Sequence, residues 1–104
     1  MFRDQMRELS RLCGYFHQDW VLDHANADAV LDFCLEQEAR ADVERANAEL
    51  SQLLGLGLKE EELRPVLLDD LGCEYEYTAG GWPSARAWLE HVQARLVERL
   101  AQVS

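Results

Sequence analysis

Apolar residues recur at helical spacing along almost the whole chain, with polar residues filling the positions between them. Phe2, Met6, Leu9 and Cys13 fall on one stripe and predict a first helix over about Arg3 to Cys13, which Gly14 stops. Within "VLDHANADA", Asn26 or Asp28 can accept backbone N–H groups at the start of a second helix. That helix is expected to run to about Glu38 and to bury Val30, Leu31, Phe33 and Cys34.

"ARADVERANAELSQLLG" is the clearest amphipathic segment. Val43, Ala46 or Asn47, Leu50, Leu53 and Leu54 share one face, and Gly55 and Gly57 mark its end. "KEEELRPVLLDDLG" predicts a fourth helix, its three glutamates set at the positive end of the helix dipole and Gly72 closing it. Pro65 sits several residues in, which predicts a kink or a start nearer Arg64. "CEYEYTAGGW" alternates polar with aromatic positions and then turns on two glycines, so it reads as an extended loop or very short strand. A long last helix follows, with Pro83 at or near its first position and Ala85, Trp88, Leu89, Val92, Leu96, Leu100 and Val103 as its buried stripe. The fold class is all-α: four to five helices around one core, forming one domain over residues 1–104, with a short extended or turn segment before the last helix.

Composition adds two things to this picture. With 104 residues, 48% of them hydrophobic, the chain can build a modest core without staples. Its three cysteines, Cys13, Cys34 and Cys73, match no zinc or haem spacing and are expected to be buried and reduced. No apolar run is long enough to cross a bilayer, and "MFRDQMRELSRL" carries charges throughout, unlike a secretory signal. A cytoplasmic location is expected.

Charge changes the picture more. The net charge is −10, and from Asp19 to Glu76 there are 16 acids against 4 bases. The two flanks hold 4 acids and 6 bases. Nucleic acid and anionic membranes repel such a chain, so neither is an expected partner. The excess can serve solubility alone, or it can steer the middle region towards a basic protein.

Candidate chemistry is sparse. His17 and Asp19 in "YFHQDW" could form an acid–base pair or two ligands of a metal, but no third ligand stands at a recognisable spacing. Capping the corner after the first helix is the simpler role, with Tyr15, Phe16 and Trp20 packing inward. Glu74 and Glu76 beside Cys73 oppose a reactive thiolate, and "LGLGLKEE" sets carboxylates where a phosphate would sit. No catalytic residue, metal or cofactor is therefore assigned. What remains is a set of aromatics beside acids, the residue types that serve interface anchors and electrostatic steering. Tyr75 and Tyr77 alternate with Glu74 and Glu76, so the rings can face one side and the carboxylates the other. Whether the rings meet a partner or the core is open at this level. Burial is expected for Trp82 and Trp88.

"YFHQDW" after a short first helix, the "LSQLL" helix, "ELRPVLLDDLGCEYEY", a glycine turn and "WLEHVQARL" occur in that order between about Leu9 and Leu100. Taken together they resemble the CdiI-type immunity proteins of contact-dependent growth inhibition systems. The turn "TAGGW" departs from the proline-bearing segment expected there. The resemblance implies a non-enzymatic cytoplasmic protein that binds the cognate C-terminal toxin domain stoichiometrically, that domain being expected to be a basic protein of the nuclease kind. Candidate toxin contacts are Asp19, Asp23, Asp69, Asp70, Glu74, Tyr75, Glu76 and Tyr77, chosen for acid-plus-aromatic character around two non-helical segments. The alternative is a small acidic adaptor or regulatory protein that binds a different basic partner.

Overall fold

The computed structural model describes residues 2–16 and 26–102, and every regular element within them is helical. The expected first helix is two pieces, α1 (Phe2–Gln5) and α2 (Arg7–Cys13). They break at Met6, whose φ of −125° and ψ of 51° are not helical. The cause is tertiary. The Leu9 N–H, an orphan donor in the first turn of α2, donates to Glu49 Oε1 at 2.8 Å. Glu49, forty positions along the chain, supplies the cap that no local side chain provides.

In α3 (Ala27–Gln37) the Asn26 carbonyl oxygen accepts the Ala29 N–H at 2.8 Å, as its residue type predicts. Val30, Leu31, Cys34 and Leu35 form its buried face. The expectation that Phe33 joins them is corrected, since Phe33 is 42% exposed. At roughly 100° per residue, it lies about 60° beyond Val30 on the side away from Leu31 and Leu35. Its ring instead packs edge-on against Tyr15, centroids 6.0 Å apart.

The central element is α4 (Arg40–Gly55), which packs against α2 on one side and the last helix on the other. Val43, Ala46, Leu50 and Leu53 are buried, and Leu54 packs partly against the core. The next helix, α5 (Glu60–Pro65), starts at Glu60 rather than near Arg64, with the Lys59 N–H donating to Glu62 Oε1 at 3.0 Å. Pro65 stays inside the helical path, and the coil then widens to π geometry over Val66–Asp70. There the Leu71 N–H reaches back five residues to the Val66 carbonyl at 2.8 Å. Proline removes one backbone donor and crowds the carbonyl four residues earlier, and a local widening absorbs both effects without ending the helix.

Gly72, at φ 74°, reverses the chain where a side chain would be strained. The segment Cys73–Tyr77 is extended but forms no ladder of its own. The Glu74 N–H donates to the Phe16 carbonyl at 2.8 Å and so ties the segment to the end of α2. The last helix, α6 (Ala85–Ala101), is capped by Ser84 Oγ, which accepts the Ala87 N–H at 3.0 Å. Pro83 therefore precedes the cap. Ala85, Trp88, Leu89, Val92 and Leu96 are buried, Leu100 is half-buried, and Val103 lies outside the described residues. Phe16, Tyr75 and Trp88 meet at the end of the core with centroids 5.1 to 5.5 Å apart. This aromatic trio joins α2, the extended segment and α6.

Candidate interaction surface

Alternation along Cys73–Tyr77 sorts the side chains as its period predicts: Cys73, Tyr75 and Tyr77 face the core, Glu74 and Glu76 face solvent. The two tyrosines expected as candidate contacts thus lie on the core side of the segment. Tyr77 is fully buried and Tyr75 is 7% exposed, because both rings complete a core that the helices alone leave open at this end. The Tyr77 hydroxyl donates to Glu60 Oε2, and the Arg64 guanidinium lies over its ring, 5.2 Å from the centroid. Burial first, and then the Glu60 carboxylate, push the Tyr77 hydroxyl above its usual pKa. Trp82, expected to be buried, is half-buried and stacks on His91 at 4.9 Å.

Glu76 is exposed but already partnered. Arg64 Nη1 and Nη2 donate to its two oxygens at 3.1 and 2.5 Å, and Thr78 Oγ1 donates at 2.5 Å. This set of donors, Arg64 foremost, holds the carboxyl down at about 2. Glu74 differs: among the described residues its side chain has no hydrogen bond or ion pair. Asp69, exposed, and Asp70, half-buried, lie in the widened turn after Pro65. Leu68, Asp69, Cys73, Glu74 and Glu76 line one cleft of about 280 Å³. Glu74 and Glu76 also line a second hollow of about 470 Å³, together with Asn26, Ala27, Tyr75, Ala79 and Gly80. The structure thus gathers Asp69, Glu74 and Glu76 about one extended segment. Asp19 and Asp23, like His17 and Trp20, lie outside the described residues.

Arg64, Glu60 and Gly80 carry this site without having been singled out in the sequence. Arg64 and Glu76 are 12 positions apart, a separation with no local meaning, so only the fold pairs them. Gly80 is needed for close approach: a Cβ there would lie 1.8 Å from Tyr75 Oη.

Elsewhere the acids are mostly engaged. Asp28 meets His91 Nε2 at 2.7 Å, and Asp32 pairs with Arg95. Glu38, buried, lies 2.6 Å from Arg11 Nη1 and accepts the Tyr15 hydroxyl at 2.7 Å. Burial, followed by that bond, pushes Tyr15 up to about 12. Arg11 also reaches Glu8 at 2.8 Å and Asp42 at 3.1 Å. The cysteines are free and buried. Contact with the Cys73 thiol and burial push Cys13 up, and burial pushes Cys34 to about 12, so neither is a nucleophile at neutral pH. Among the described residues no cluster could hold a metal ion, and no helix is long and apolar enough to cross a membrane.

A family model described as CdiI immunity protein matches residues 5–96. The chain is also similar to a chain in the crystal structure of a CdiA-CT/CdiI complex from Y. kristensenii 33638. Sequence identity is 32%, the TM-score is 0.85, and the match covers 91% of this chain and 96% of the other. Comparison with curated proteins gives no match.

Proposed function

The chain belongs to the CdiI immunity protein family, and from that premise we propose that it binds and neutralises the cognate CdiA-type C-terminal toxin domain by stoichiometric cover. The observation that carries this reading is the match over residues 5–96, together with a similar fold from a CdiA-CT/CdiI complex. Inhibition, not turnover, is the activity. The toxin domain is read as a basic protein of the nuclease kind, met in the cytoplasm, because a net charge of −10 complements a surface built to hold nucleic acid.

The proposed contacts are Asp69, Asp70, Glu74 and Glu76, with Asp19 and Asp23 from the segment after the first corner. Tyr75 and Tyr77 act behind them, fixing the extended segment that carries the two glutamates. Charge at such a rim speeds association more than it prolongs the complex. Replacing these acids with Asn or Gln should slow association and flatten its salt dependence. Rates that did not change would remove the electrostatic part of the reading.

The deciding experiment is co-expression with the C-terminal toxin domain of the cognate CdiA-type protein. Growth rescue and a co-purifying one-to-one complex are expected. Continued toxicity with no complex would overturn the assignment and favour an adaptor for another basic partner.

A further inference from the structure

The hollow beside the extended segment has the chemistry of a side-chain receptor. Its volume, about 470 Å³, falls within the range of roughly 300–1,000 Å³ typical of binding sites. Asn26 and Ala27 at the start of α3 contribute to its lining, and Glu74, Tyr75, Glu76, Ala79 and Gly80 contribute the rest. Asn26 already spends its side-chain oxygen on the Ala29 N–H. Glu76 is saturated by Arg64 and Thr78. Glu74 is the one lining carboxylate whose side chain is without a partner among the described residues.

A groove that sets Ala27, Tyr75 and Ala79 beside one open carboxylate suits a long cationic side chain, whose methylene stem packs while its charged head is paired. The occupant follows from charge: a chain at −10 with an uncompensated glutamate on a groove attracts a cation, not an anion. The floor is also preformed. Gly80 approaches Tyr75 Oη so closely that no side chain fits between them, and Tyr75 is locked against Phe16 and Trp88. Binding there would order little of this chain, which favours affinity.

We propose that this groove receives an arginine or lysine side chain of the toxin domain, its stem along Ala27, Tyr75 and Ala79 and its charge on Glu74. The proposal rests on the toxin-binding reading and adds the location and chemistry of one anchor.

The test measures affinity for the purified cognate toxin domain by calorimetry at two salt concentrations. Glu74→Lys reverses the open charge, and Ala79→Trp fills the groove without altering charge. Glu98→Lys is the control, an equal charge change 13 residues along α6 from Ala85, about 20 Å away at the helical rise. Loss of an anchor contact predicts that both groove variants bind at least about tenfold more weakly, with the control within about twofold. Far-ultraviolet circular dichroism establishes folding. Should Ala79→Trp not fold, Glu74→Lys, at an exposed position, decides alone. Groove variants that fold and bind within about twofold of wild type would overturn the proposal, as would an equal loss in Glu98→Lys, either outcome leaving the immunity reading intact. A wild-type chain that bound no toxin domain would overturn both.

Discussion

The Tyr77 hydroxyl donates to one oxygen of Glu60, and the other oxygen of that carboxylate accepts the Ala85 N–H at 2.9 Å. One side chain thus joins the start of α5, the extended segment and the first turn of α6. Ala85 carries one of the orphan donors of α6, and Ser84 satisfies another. Glu60→Ala would leave both the buried Tyr77 hydroxyl and the Ala85 amide without this acceptor. A loss of about 1–3 kcal/mol is expected, against about 0.5–1.5 for Tyr77→Phe, with the double variant less costly than the sum. Urea denaturation of the four proteins measures this.

Glu76 predicts a pH dependence with a definite sign. Its folded pKa, about 2, lies below its ordinary value of 4.5. A depressed carboxylate contributes stability that is present above the unfolded value and lost as pH falls towards the folded one. The stability difference between wild type and Glu76→Gln should therefore be constant above about pH 5 and shrink down to about pH 2. The Arg64–Glu76 pair is exposed, so added salt should reduce the difference as well. A difference that grew on acidification would contradict the pairing.

Arg11 and Glu38 predict non-additivity. Glu38 is buried, with Arg11 as its counter-charge and Tyr15 as its donor. Arg11→Met strands the carboxylate and should cost about 2–3 kcal/mol, moderated by the half-exposed position of the arginine. Glu38→Gln added to it should recover part of that loss. Thermal melts of the single and double variants give the coupling energy.

Gly80→Ala tests the close approach under the extended segment. The new Cβ would stand 1.8 Å from Tyr75 Oη and 2.8 Å from Cζ, against a ring held by Phe16 and Trp88. A cost of about 1–3 kcal/mol is expected, as for other overpacked sites. Tyr75→Phe in the same chain removes the worst contact and should restore part of the stability, which Gly80→Ala alone cannot do.

Much of the fold was legible along the chain. Apolar period, the Asn26 cap, and glycines where helices end placed α3, α4 and α6 within a few residues, because those signals act between neighbours in sequence. The in-and-out sorting of Cys73–Tyr77 was legible for the same reason.

What local signals could not determine was which alternating face the core would claim, or where the charge would fall. The break at Met6 depends on Glu49, and the state of Glu76 depends on Arg64. The segregation of charge along the chain, an acidic middle between slightly basic flanks, does not survive folding. Arg11 and Arg95, both from the flanks, close on Glu38, Asp42 and Asp32 of the middle. Coulomb attraction acts on distance in space, and a bundle brings its chain ends back beside its centre. The sequence by itself determined the helices, the excess negative charge and the family resemblance. Only the tertiary structure decided that the tyrosines are core, that Arg64 neutralises Glu76, and that Glu74 is left open beside a groove.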